Sequence, residues 1–125
     1  MADRKINAPV ESPESAAFYE AAKAGKFMIR RCTRCKKPHW YPRALCPFCF
    51  GPTEWEEASG KGTIYSHSTM RRAGYTIAYV TLAEGPTMLT NLVDCDPDTI
   101  KIGQAVKIKW TPTEDGPPVP TFAPA

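Results

Sequence analysis

Cys32-Thr33-Arg34-Cys35 and Cys46-Pro47-Phe48-Cys49 are two Cys-x-x-Cys pairs separated by ten residues. A two-residue gap sets each pair on a tight knuckle with both sulfurs facing one point, and two knuckles complete a tetrahedron around one metal ion. Cys32, Cys35, Cys46 and Cys49 are therefore the expected metal ligands. Two disulfides are the weaker reading, because no secretory signal precedes the pairs. A thioredoxin-like redox motif would account for one pair and leave the other unexplained. Four thiolates fill the coordination sphere and leave no position for water or substrate, so the ion is expected to be structural. Zinc is the default occupant; iron suits the same cage.

No second chemical constellation accompanies the cage. His39 lies in the loop between the pairs and reads as an exposed loop residue. His67 lies in a predicted strand, out of phase with Ile64, Ser66 and Ser68, and reads as a surface residue. The fifth cysteine, Cys95, stands between Asp94 and Asp96, whose charges disfavour a thiolate. Phosphate-binding glycine loops and nucleophile elbows are missing from the sequence. These observations predict a non-catalytic subunit.

Charge is unevenly spread. Eight basic residues and no acid occur from Lys23 to Arg43, within a net charge of +3. Cations close to a cage of net charge −2 neutralise it locally; the same cluster would also suit an anion, either nucleic acid or a phosphorylated cofactor. Arg30, Arg31 and Arg43 are the candidates there. Arg71 and Arg72, on a predicted loop with Tyr75, form a second candidate anion site.

The elements that must position these residues follow from local pattern. Residues 1–11 read as an irregular, mobile arm. Ser12-Pro13-Glu14 starts a helix ending near Ala24 and stopped by Gly25, with Phe18, Ala21 and Ala22 on one face. Residues 26–30 alternate as a strand into the first knuckle. Trp40 and Tyr41 are expected to cover the metal site, and Trp55 with Glu54, Glu56 and Glu57 closes the ribbon on a solvated face. From Gly60 onward, four strands alternate with turns, and a fifth candidate near Val119 and Phe122 is expected at an edge, its prolines blocking further pairing. The predicted fold is mainly β, divided into an N-terminal arm and helix (1–25), a zinc ribbon (26–59) and a five-stranded OB-type barrel (60–125), with an open sandwich as the alternative. No apolar run reaches the ~20 residues that span a bilayer, and the chain is expected in the cytoplasm.

The order of Cys32-x-x-Cys35, Tyr41-Pro42-Arg43, Cys46-Pro47-x-Cys49, Gly62-Thr63-Ile64-Tyr65-Ser66 and Ile102-Gly103-Gln104-x-Val106 resembles the acyl-CoA-associated proteins that join a rubredoxin-like zinc ribbon to an OB-fold barrel. The resemblance covers residues 14–122. It implies a hetero-oligomer with a thiolase-like catalytic subunit, as in thiolases of the benzoylsuccinyl-CoA type, or with a hydratase-like one. The small subunit would brace the complex and help to form the pocket for coenzyme A or its acyl thioester. In this sequence Lys36 and Phe50 follow the second cysteine of each pair, where glycine is usual, and Gly51 comes one place late, so less regular knuckles are expected. A module binding single-stranded nucleic acid, and a redox protein holding iron, are the competing readings. The neutral barrel half speaks against the first.

Overall fold

The computed structural model describes residues 6–125. Its elements are one helix, α1 (Ala16–Lys23), and eight strands: β1 (Met28–Cys32), β2 (Pro38–His39), β3 (Thr53–Glu57), β4 (Lys61–Met70), β5 (Tyr75–Leu82), β6 (Thr87–Leu92), β7 (Ala105–Thr113) and β8 (Gly116–Pro124). Strands β2-β1-β3 form an antiparallel sheet, and β4-β5-β6-β8-β7 close into a five-stranded barrel. Among the described residues no helix is long and apolar enough to cross a membrane.

α1 begins later than the sequence predicts. Ser12 organises a preceding turn instead, its carbonyl accepting from the Ser15 and Ala16 amides. Glu14 turns away from the helix, its Oε2 accepting the Ala44 amide at 2.7 Å and tying this turn to the ribbon loop. The C-terminus matches expectation. Gly25, at φ 78°, and Lys26 donate to the carbonyls of Ala22 and Ala21, a Schellman motif that glycine enters without strain. The predicted arm is not wholly loose: Asn7 bridges Glu114, whose amide donates to the Ile6 carbonyl. Residues 1–5 lie outside the described set.

Phe18 and Ala22 bury the face of α1. Phe18 meets Phe27, Trp40 and Trp110 at centroid distances of 6.3, 5.3 and 6.1 Å, and Phe27 meets Phe122 at 6.1 Å. Helix, ribbon and barrel thus share one core, in which Phe27 and Ile29 pack with Ile64, Val80, Leu92, Val106 and Phe122. Trp40 belongs to this seam and not to a cover over the cysteines; Tyr41 beside it is 60% exposed. A small ribbon has too little apolar surface for its own core, so its aromatic residue is recruited by the larger one.

Two barrel features depart from local pattern. A bulge between Ile64 and Ser66 shifts the β4 register, so His67 pairs with buried Ala78 and Thr69 with buried Thr76. Paired residues share a face, which turns His67 inward and leaves it half-buried, not on the surface. β8 is no free edge. It pairs with β7 along its length and meets β6 in parallel at Leu92–Phe122. Pro118, Pro120 and Pro124 share the parity of Phe122, whose carbonyl accepts from Val93 of the β6 side, whereas the Ala125 amide donates to Ala105 of the β7 side. These three missing N–H groups therefore fall where β6 pairs sparsely and cost β8 little, and Pro117, of opposite parity, lies at the register shift against β7 between Thr111 and Thr113.

The two barrel sequence motifs meet at the bulge. The Ile64 amide donates to the Gln104 carbonyl, and the Gly103 amide donates to the Ile64 carbonyl. Gly103 sits at φ 87°, a region that side chains rarely enter.

Candidate metal centre

β1 delivers Cys32 to the first knuckle and β3 leaves the second, so the antiparallel β1–β3 pairing, with Cys32 opposite Thr53, holds the knuckles face to face. The four sulfurs lie within 4.8 Å of one another. Cys32 and Cys49 Sγ are 3.5 Å apart, and Cys35 and Cys46 Sγ are 3.6 Å apart. A tetrahedron with metal–sulfur bonds of about 2.3 Å has edges of about 3.8 Å, so the set is positioned to bind one metal ion.

Backbone amides point at the sulfurs. Cys32 Sγ accepts from the Arg34 and Cys35 amides at 3.3 Å, and Cys46 Sγ accepts from the Phe48 amide at 3.3 Å. The Gly51 amide pulls the Cys49 thiol down to about 6, against the effect of burial. At Cys32 burial opposes ionisation, but the Cys35 and Arg34 amides outweigh it and lower the thiol. The Lys37 amide favours the Cys35 thiolate, yet burial and the three neighbouring sulfurs prevail and push that thiol up to about 11. Without a cation the four sulfurs cannot all be thiolates; a divalent ion removes the conflict.

The expected irregularity of the knuckles is not found. Lys36 and Phe50 adopt φ 67° and 61°, the left-handed conformation that glycine would supply. The turn geometry is kept, at a cost of roughly 1 kcal/mol per side chain so placed. Gly51 is required for a different reason: a Cβ there would stand 3.1 Å from Cys32 Sγ and 3.0 Å from Arg34 Nε.

The arginines divide by their partners. Arg30 stacks over Trp55 at 4.7 Å, and its Nε and Nη2 donate to Thr53 Oγ1 at 3.0 and 2.8 Å. Thr53 Oγ1 in turn reaches the Arg43 and Ala44 carbonyls, at 2.7 and 3.0 Å. Arg31 pairs with Glu56 at 2.9 Å and donates to the Lys36 carbonyl at 2.7 Å, so this glutamate is not merely solvated. Arg71 pairs with Asp98 at 2.7 Å on the surface. Arg43 and Arg72 are exposed, with no side-chain partner among the described residues. The Thr53 hub, the Glu14 tie and the Arg34 bond to the Cys49 carbonyl, at 2.8 Å, escape sequence reasoning, because nothing local marks them.

His39 is not an exposed loop residue. It lies in β2 opposite Arg30, 7% exposed, with neither ring nitrogen hydrogen-bonded. Burial lowers its pKa; the Arg43 backbone opposes this from outside hydrogen-bonding geometry, and the Arg30 and Arg43 charges add to the lowering. Cys95 is half-buried in a barrel cavity of about 590 Å³, and burial, with Asp96, pushes its thiol up. The two histidines and this thiol form no catalytic set.

Residues 20–56 match a rubredoxin-like zinc ribbon domain of the ChsH2 type, and residues 55–111 match the ChsH2 C-terminal OB-fold domain. The chain is 35% identical to a probable enoyl-CoA hydratase alpha subunit of Thermomonospora curvata over 94% of its own length and 39% of that protein's. It is 36% identical to a DUF35 domain-containing scaffold protein of Methanocaldococcus jannaschii over 62% of each chain. It thus spans about two fifths of the first of these relatives and under two thirds of the second. Among solved structures, a chain of the Ltp2-ChsH2(DUF35) aldolase aligns with a TM-score of 0.79 at 33% identity, over 93% of this chain and 98% of that one. A DUF35-family protein of unknown function from Sulfolobus solfataricus, 17% identical, shares the fold with a TM-score of 0.67.

Proposed function

The chain belongs to the ChsH2 family of zinc-ribbon and OB-fold proteins, and on that footing we propose that it is the non-catalytic accessory subunit of an acyl-CoA enzyme complex. The observation that carries this reading is the full-length likeness to one chain of a solved aldolase complex. The hydratase alpha-subunit relative points to the same class of chemistry. Zinc is the proposed ion, held by Cys32, Cys35, Cys46 and Cys49. It supplies no reaction step. Its binding, worth about 10–16 kcal/mol in such modules, is coupled to folding of the ribbon.

The catalytic subunit is proposed to be of the thiolase type, with aldolase or hydratase chemistry as the variants that the relatives' names favour. The partner then supplies the reacting groups, a reading supported by the scaffold-protein name of the Methanocaldococcus jannaschii relative. Contact with coenzyme A falls most naturally to the loop between β4 and β5. Arg72 has no side-chain partner there among the described residues, and Arg suits the cofactor's phosphates. Arg30 and Arg31 serve the ribbon itself.

Co-expression with a candidate acyl-CoA catalytic subunit from the same organism tests the proposal. Co-elution as a stable hetero-oligomer, with acyl-CoA turnover that depends on this chain, is expected. Separate elution, with a fully active partner, would refute it. In the assembled complex Arg72→Ala should raise the KM for the acyl-CoA several-fold and leave kcat near its original value.

A further inference from the structure

Three hollows open on one short stretch of the ribbon. One of about 500 Å³ is lined by Arg43, Leu45, Pro47 and Phe50, with Glu14 at its side. A second, about 290 Å³, lies between Trp40, Tyr41, Arg43 and Phe48 and the β5–β6 turn at Pro86. The third, about 370 Å³, runs from Tyr41 and Arg43 to α1 at Phe18 and Tyr19. Arg43 lines all three. Around it Tyr41, Leu45, Phe48 and Phe50 are 60%, 58%, 58% and 76% exposed.

Phe50 is the telling residue. It holds a left-handed backbone that glycine would hold without strain, and its ring lies in solvent. A strained aromatic left 76% exposed and outside the buried core adds little to knuckle or core, which points to a use outside this chain. Arg43 has a fixed backbone, anchored by Thr53 Oγ1, and a guanidinium without a partner among the described residues. The acid nearby, Glu14, is already bound to the Ala44 amide. Of the neighbouring cations, Arg34 holds the Cys49 carbonyl and Lys37 lies over the Phe48 ring at 5.1 Å.

One unpaired arginine ringed by exposed aromatic and aliphatic side chains has the composition of a protein-binding hot spot. We infer that this face is where the catalytic subunit docks, through an apolar ridge bearing a carboxylate that Arg43 receives. The inference rests on the accessory-subunit reading above and adds the surface through which it operates.

The test measures affinity for the catalytic subunit that co-elutes with this chain. Phe50→Gly should retain the metal and melt no lower than the parent, because strain is relieved, and yet bind roughly 30-fold more weakly, as loss of a hot-spot side chain does. Arg43→Glu should weaken binding at least as much. Lys36→Gly, which relieves the same strain at the other knuckle, should bind like the parent. If the parent binds and both Phe50→Gly and Arg43→Glu bind equally well, the docking face is wrong and the accessory role stands. If Arg43→Glu raises the KM for acyl-CoA with affinity for the partner unchanged, the arginine serves the cofactor and the inference fails. If the parent chain binds no catalytic subunit, the accessory role itself falls.

Discussion

His39 carries a pH signature that its surroundings dictate. The fold holds its pKa below the usual value of about 6.5, chiefly by burial, so the unfolded chain binds the proton more readily. Stability from this group is full above pH ~6.5 and is lost as pH falls through that value towards the lowered one. His39→Phe should flatten that part of the pH–stability curve, measured by thermal melting of metal-loaded protein against the parent. It should also be neutral or stabilising at pH 8, since both ring nitrogens are buried without partners. Gly51 makes a second prediction. A methyl group there presses on Cys32 Sγ and Arg34, so Gly51→Ala should surrender its metal to a chelator faster than the parent. The cysteine cluster is legible from spacing alone, because spacing is the constraint that metal geometry imposes. The burial of His39 is not. A two-residue strand is too short for periodicity to show, and the contact that buries it comes from β1.

At the scale of elements, barrel strands and the helix stop are readable because alternation and glycine report local geometry. What escapes is pairing. A one-residue bulge reverses the parity of His67, and the prolines of β8 look like edge markers until the sparse β6 side of that strand is seen. The Gly62–Ser66 and Ile102–Val106 motifs can be spotted separately in the sequence. Their reason is mutual, since Ile64 exchanges hydrogen bonds with Gly103 and Gln104. The seam between elements gives a quantitative prediction. Phe27, 3% exposed, touches Phe18, Trp40, Trp110 and Phe122. Phe27→Ala should cost about 3–5 kcal/mol, read by denaturant unfolding with metal present. Because ribbon, helix and barrel share that core, they should unfold in a single transition; a ribbon melting apart from the barrel would contradict the seam.

For the molecule as a whole, the aromatic seam joins helix, ribbon and barrel through one core, and the ribbon presents Arg43 among exposed Tyr41, Leu45, Phe48 and Phe50. Composition foretold the uneven charge but not its division. Arg30 and Arg31 are spent inside the ribbon, whereas Arg43 and Arg72 have no side-chain partner among the described residues. The most direct measurement is acyl-CoA turnover by three samples: the zinc-loaded chain alone, the catalytic subunit alone, and the complex reconstituted from both. The chain alone should be inert, and the complex should clearly exceed the isolated partner. Turnover by the chain alone, or a partner equally active with and without it, would contradict the account.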